Sequence, residues 1–222
     1  MTRFFATLAI VISTSTVVFA QAPAAQSDPA AKKILDQVSA KVKSYSSVKI
    51  SFSLSVQTAD GKVQSKKAGT VYMKGAKYRV TMPPGQEIFC DGSNTWNYDK
   101  SANEVKIDKV DESANALTPQ KLFTDFYDKD YLYKLNDDTK INGRAVQEIE
   151  LTPFDKTKPF FKVLLEVDKL TKNIVSTKLF EKNGTHFVYT ANSITPNSPT
   201  VTDALFVFDK SKYPGVEVVD LR

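Results

Sequence analysis

From Val48 onward, apolar and polar residues alternate. Val48, Ile50, Phe52, Leu54 and Val56 fall on one side of an extended chain, and Lys49, Ser51, Ser53, Ser55 and Gln57 on the other. A period of two predicts a strand with one face buried. Asp60-Gly61 then supplies a hairpin turn. The runs GTVYMKG, KYRVTMP, QEIFCD, TWNYD and NEVKIDKV follow, separated by turn residues. Six consecutive strands with short connections predict an antiparallel meander. The segment before it has a different period. Ala31, Ile34, Leu35, Val38 and Val42 recur at helical spacing, behind an Asp28-Pro29 pair that reads as N-cap and first-turn proline.

A second helical signal opens at Thr118-Pro119 and runs through TPQKLFTDFYDKDYLYKL, with Leu122, Phe123, Phe126 and Tyr127 on one face. Strands resume at RAVQEIEL after an Asn-Gly turn. They continue through FKVLLEVD, NIVSTKLFEK, THFVYTANSI and DALFVFD, with another Asn-Gly hairpin at 183–184. About eleven strands and two helices result, with no internal boundary. The fold class is mainly β (α+β): one large antiparallel sheet of this length must curl, and the helices have their place over its open mouth. Several strands are apolar on both faces. Phe161, Val163, Leu165 and Val167 line one side while Leu164 adds to the other, and Leu205 and Val207 oppose Phe206 and Phe208. The second apolar face is either covered by a helix or the C-terminal tail, or it is a ligand surface.

The chain's start narrows the setting. Arg3 precedes FFATLAIVI, and VVFAQA closes the stretch with small residues, the pattern of a secretory leader cleaved after Ala20. Residues 1–20 are thus expected to be a signal peptide, 21–27 a Pro/Ala linker, and 28–222 a single domain of an exported, soluble protein. The 222 residues are 41% apolar and carry a formal +5, with both signs interspersed. That composition supports a sizeable core and gives no basic block for nucleic acid.

Catalytic chemistry is missing from the pattern. Cys90 is the single cysteine and reads as a small buried hydrophobe in an alternating strand. His186 is the single histidine and reads as a solvent-facing strand residue. Metal-ligand spacing, a phosphate-cradling Gly-rich loop and a G-x-S-x-G elbow are not found. Asp125, Asp128 and Asp130 lack the glycine and distal Glu of a calcium loop, so they read as the solvated end of a helix. The expectation is a binding protein without cofactor or metal, not an enzyme.

The ordered set Tyr72-Met73-Lys74, Tyr78-Arg79-Val80, Gln86-Glu87, Asp91-Gly92, Trp96-Asn97-Tyr98 and Val105 resembles the outer-membrane lipoprotein carrier family, LolA. The closing FVFDKSKYPGVEVVDLR and the helix before SVKISFSLSVQT are similar to that family as well. The resemblance implies a half-barrel with helices as a lid over an apolar cavity. It also implies a periplasmic, monomeric carrier that takes acylated lipoproteins from an inner-membrane exporter complex to an outer-membrane acceptor. A lipid- or glycolipid-binding or lipoprotein-sensing module on the same fold is the alternative. The side chains expected against the acyl chains are Tyr78, Val80, Met82, Ile88, Trp96, Tyr98, Leu122, Phe123, Phe126, Phe161, Val163 and Leu165. One position departs from the family. Where many members carry Arg-Pro, whose Arg latches the lid, this chain has Gly75-Ala76. Lys74 and Lys77 are the candidate substitutes, without guanidinium's planar fork.

Overall fold

The computed structural model describes residues 27–110, 127–141 and 143–222. The leader, most of the linker and the candidate site residues Leu122, Phe123 and Phe126 lie outside them.

Helix α1 (Pro29–Lys43) starts where the sequence places it. The Asp28 carboxylate accepts the Ala30 N–H at 2.7 Å, and its second oxygen accepts the Leu135 N–H at 3.2 Å. One side chain therefore caps the helix and ties it to a strand. Those two backbone bonds hold the Asp28 carboxyl below its ordinary range. Ala31, Ile34, Leu35 and Val38 form the buried stripe. Burial of each of the three larger ones contributes about 1.5–3 kcal/mol.

The strands are β1 (Val48–Gln57), β2 (Val63–Lys74), β3 (Lys77–Met82), β4 (Gln86–Cys90), β5 (Asn94–Asp99) and β6 (Glu104–Lys109). After the short helix α2 (Tyr127–Asp130) come β7 (Tyr131–Leu135), β8 (Thr139–Ile141), β9 (Arg144–Pro153), β10 (Phe160–Asp168), β11 (Ile174–Glu181), β12 (His186–Pro196) and β13 (Glu217–Asp220). Among the described residues they make one sheet, in the order β13-β6-β5-β4-β3-β2-β1-β12-β11-β10-β9-β7, with β8 also on β9. Its two ends do not pair with each other, so the curled sheet stays open. All pairings are antiparallel except β13 on β6. The hairpin turns at Asp60-Gly61 and Asn183-Gly184 both place glycine at φ +85°, where a Cβ is disfavoured.

Four expectations change. Residues 131–135 continue the second helical signal in the sequence but form β7, because Tyr131 and Tyr133 are buried on one face while β9 supplies the backbone partners. DALFVFD is not a strand: Asp203–Phe206 is a 3₁₀ turn within a C-terminal strap that crosses the sheet. Phe161 does not share a face with Val163 and Leu165. A register irregularity between Phe160 and Lys162 turns Phe160 inward and leaves Phe161 48% exposed. His186 is buried rather than solvent-facing, its ring 4.4 Å from that of Phe180. Burial and the nearby Lys178 and Lys162 lower its pKa.

The buried side chains fall into three groups. The inner face is the one on which α1 lies. There, the α1 stripe packs with Tyr127, Tyr131, Tyr133, Ile149, Leu151, Val163 and Leu165 into one core. Further round the same face, Val48, Ile50, Phe52, Leu54, Val71, Met73, Tyr78, Val80 and Cys90 form a second. On the outer face, the strap covers β4–β6: Phe208 meets Phe89 at 5.6 Å and Tyr213 meets Tyr98 at 4.6 Å between ring centroids. The tail thus covers the outer apolar side chains of β4–β6.

Candidate functional site

The second inner-face group is the candidate site. Register builds it. Across β2–β3–β4, Met73 lies opposite Tyr78 and Tyr78 opposite Cys90, while Val71 lies opposite Val80 and Val80 opposite Ile88. Across β1–β12, Ile50 faces Ile194, Phe52 faces Ala191 and Leu54 faces Tyr189. Every second residue of five strands therefore points to one surface, which is apolar apart from Gln86 and, toward the β1–β2 turn, Ser65 and Lys67. Its edge is a cleft between the last turns of α1 and the sheet, lined by Val38, Val42, Tyr45, Ile50, Met73 and Ile194, with Lys172 and Asn173 beside them. The cleft holds about 310 Å³ of empty space counted to its open mouth, of which only about 20 Å³ is wide enough for water. That is about room for one water molecule.

The polar atoms on this surface are weak ones. Burial pushes the Tyr78 hydroxyl up to about 12, helped by the neighbouring Cys90. Burial also raises Tyr189, Tyr45 and the Cys90 thiol. All stay neutral at ordinary pH. The surface can enclose an apolar chain, and among the described residues it offers no nucleophile paired with a base.

Of the residues singled out in the sequence, Tyr78, Val80, Met82 and Ile88 come together here. Val163 and Leu165 lie on the same face but are fully buried beneath α1 in the first core. Trp96 and Tyr98 point the other way. Trp96 pairs with Phe89, and Tyr98 with Glu87, all on the outer face beneath the strap.

The match to known proteins agrees with this geometry. Residues 43–209 match the family described as outer membrane lipoprotein carrier protein LolA. The chain belongs to the LolA family. An outer-membrane lipoprotein carrier protein of Cupriavidus necator is 28% identical over 152 residues, 67% of this chain and 69% of that one. A conserved protein from Thermus thermophilus shares the fold, with a TM-score of 0.54 and 13% identity over 86% of this chain and 99% of its own. A LolA superfamily protein from Nitrosomonas europaea aligns with a TM-score of 0.44 and 18% identity over 81% and 98% of the two chains.

Within the LolA frame, the Gly75-Ala76 turn has a specific consequence. Lys74 and Lys77 flank it, and both ammonium groups donate to the Asp203 carboxylate at 2.8 Å. These cations hold the C-terminal strap. A second clasp lies beside it: Arg79 meets Glu87 at 2.5 Å and stacks over Phe89 at 4.5 Å, while the Tyr213 hydroxyl donates to Glu87 at 3.2 Å. Burial and the Glu87 charge raise Tyr213 to about 12.

The residues that sequence reasoning left out of the site are those of β1, β2 and β12, including Ile50, Phe52, Met73 and Ile194. The alternation of β1 carried the signal for its own face. The placement of β12 beside β1 did not show, because no short turn links them.

Proposed function

We propose that the inner-face surface of β1–β4 and β12 takes up the acyl chains of lipoproteins. The protein would carry them through the periplasm, from an inner-membrane exporter complex to an outer-membrane acceptor. It would act as a monomer, without cofactor or chemical step, after removal of its leader at Ala20. LolA family membership supports the class of cargo. The observation that carries the reading is a contiguous apolar surface drawn from five strands. An acyl chain in water exposes surface worth about 0.8 kcal/mol per methylene, which such a surface recovers without fixing the chain by hydrogen bonds. Release then needs only a better apolar host. The narrow cleft means that loading widens the gap between α1 and β1–β2.

Val80→Glu tests this. Val80 sits mid-surface at 7% exposure. The variant is expected to fold with lowered Tm and to lose lipoprotein transfer from membrane vesicles. A folded variant with normal transfer would overturn the reading. Unfolding would place Val80 in dry core, where an unpaired carboxylate costs several kcal/mol. In cells, depletion of the protein should leave lipoproteins in the inner-membrane fraction.

A further inference from the structure

We infer that one rim of the sheet is a docking surface for an anionic phospholipid bilayer. Three hairpin ends meet there: the β1–β2 turn, the β9–β10 loop and the β11–β12 turn. They are contiguous. A Cβ on Gly184 would lie 3.7 Å from that of Ala59. The Lys182 N–H donates to the Pro159 carbonyl at 2.9 Å, and the Lys182 ammonium donates to the Lys156 carbonyl.

The rim combines two kinds of group. Segments 57–67, 153–162 and 180–186 carry seven lysines (62, 66, 67, 156, 158, 162 and 182) against three carboxylates, a surplus of four in a chain whose whole formal charge is +5. The carboxylates are used within their own turns. Asp60 accepts from the Thr58 hydroxyl, Asp155 from the Thr157 N–H at 2.8 Å, and Glu181 from the Asn183 amide at 2.9 Å. Among the described residues, only Lys162 of the seven lysines makes an ion pair, to Glu150 at 3.9 Å. Set among these cations are three apolar side chains held out to solvent: Val63 at 44%, Phe154 at 50% and Phe161 at 48% exposure.

Lys156 donates to the Pro153 carbonyl and Lys158 lies over the Tyr131 ring, but neither charge is met by a carboxylate. A rim of hairpin ends with protruding rings and ammoniums that, Lys162 apart, make no ion pair among the described residues has the chemistry of the headgroup boundary, where apolar tips enter the acyl margin and cations meet phosphate. The apolar inner surface runs to the same rim through Leu54, Val56 and Phe187, whose strands end there. Membrane contact at this end would bring the two apolar phases together.

The inference stands on surface chemistry and survives failure of the acyl-carrier reading. Its test is co-sedimentation of the full mature chain, free of lipoprotein, with phosphatidylcholine vesicles with and without phosphatidylglycerol. Binding to the anionic vesicles, weakened by salt, is expected. Each Lys→Gln exchange at 62, 66 and 67 should weaken it roughly fivefold. Phe154→Ser with Phe161→Ser should weaken it further, with Tm little changed because both rings are half exposed. Leu170→Ser, at a fully exposed turn on the opposite rim, should leave it unchanged. Absent binding to anionic vesicles at low salt, or equal loss in the Leu170 variant, would overturn the inference. So would retention of the protein by poly-glutamate with no vesicle binding, which would make the rim a site for an acidic protein.

Discussion

Gly69 has no room for a methyl group. A Cβ there would lie 2.4 Å from the Phe52 ring and 2.7 Å from the Thr81 carbonyl oxygen. The Phe52 ring therefore lies over the glycine on the next strand, which makes this spot of the inner surface smooth and wide. Gly69→Ala is expected to destabilise the fold by about 1–3 kcal/mol through overpacking. Thermal or denaturant unfolding checks this, and adding Phe52→Leu should recover part of the loss if the ring is the obstacle. A second residue-scale prediction concerns reporters. Trp96 lies on the outer face, so its emission should stay fixed when a fluorescent or brominated acyl ligand binds. A tryptophan introduced by Ile50→Trp should respond saturably. A Trp96 response would mean that ligand reaches under the strap. The parity of Tyr78, Val80 and Met82 was legible in the sequence, because alternation within one strand fixes it. The parity of Trp96 relative to them was not. It depends on the register that the Asp91–Asn94 turn imposes between β4 and β5, and one residue of slip exchanges the faces.

Among the elements, the strap is the clearest case of tertiary context overriding local pattern. Phe206 and Phe208 alternate with Leu205 and Val207 as a strand would, yet no neighbour among the described residues offers that segment a backbone ladder. It is fixed by side chains instead: the aromatic cluster and the Lys74–Asp203–Lys77 clamp. Hydrogen bonds from Lys74 and then Lys77 depress the Asp203 carboxyl from 3.8 to about 2. The folded value is the lower one, so the clamp's contribution is complete above 3.8 and fades as pH falls through about 2. Over that interval, wild-type stability should drop more steeply than that of Asp203→Asn, in which the clamp is weak at every pH. Parallel pH-unfolding curves for the two proteins would remove the clamp from the account. Helix α1 was readable because its cap, proline and apolar stripe all agree. The 131–135 segment was not, since Tyr131, Leu132, Tyr133 and Leu135 satisfy a strand and a helix face alike until β9 is present to pair with them.

At the scale of the molecule, the class of fold was legible from strand period and turn spacing. The order of strands was only half legible. Short turns dictate that β1 to β6 lie side by side, and likewise β9 to β12. Nothing local dictates that β1 lies against β12, or that β13 lies parallel on β6. The inner surface owes its composition to that junction, since Ile194, Ala191 and Tyr189 reach it only because β12 sits beside β1.

The junction has a further consequence, for the order of events in folding. Ser53 and Asn192, 139 positions apart, exchange side-chain hydrogen bonds across it. Each half of the sheet can zip from its own hairpins, but the halves meet along this one pair of strands, whose loop closure is the longest and slowest to be repaid. Shaving this junction, for example with Ile194→Ala, should slow refolding as well as lower stability. The same loss in the β9–β10 hairpin, for example with Ile149→Ala, should appear mainly as faster unfolding. Until the junction closes, the chain presents two half-sheets whose unpaired borders are open to another copy, so refolding yield should fall as protein concentration rises.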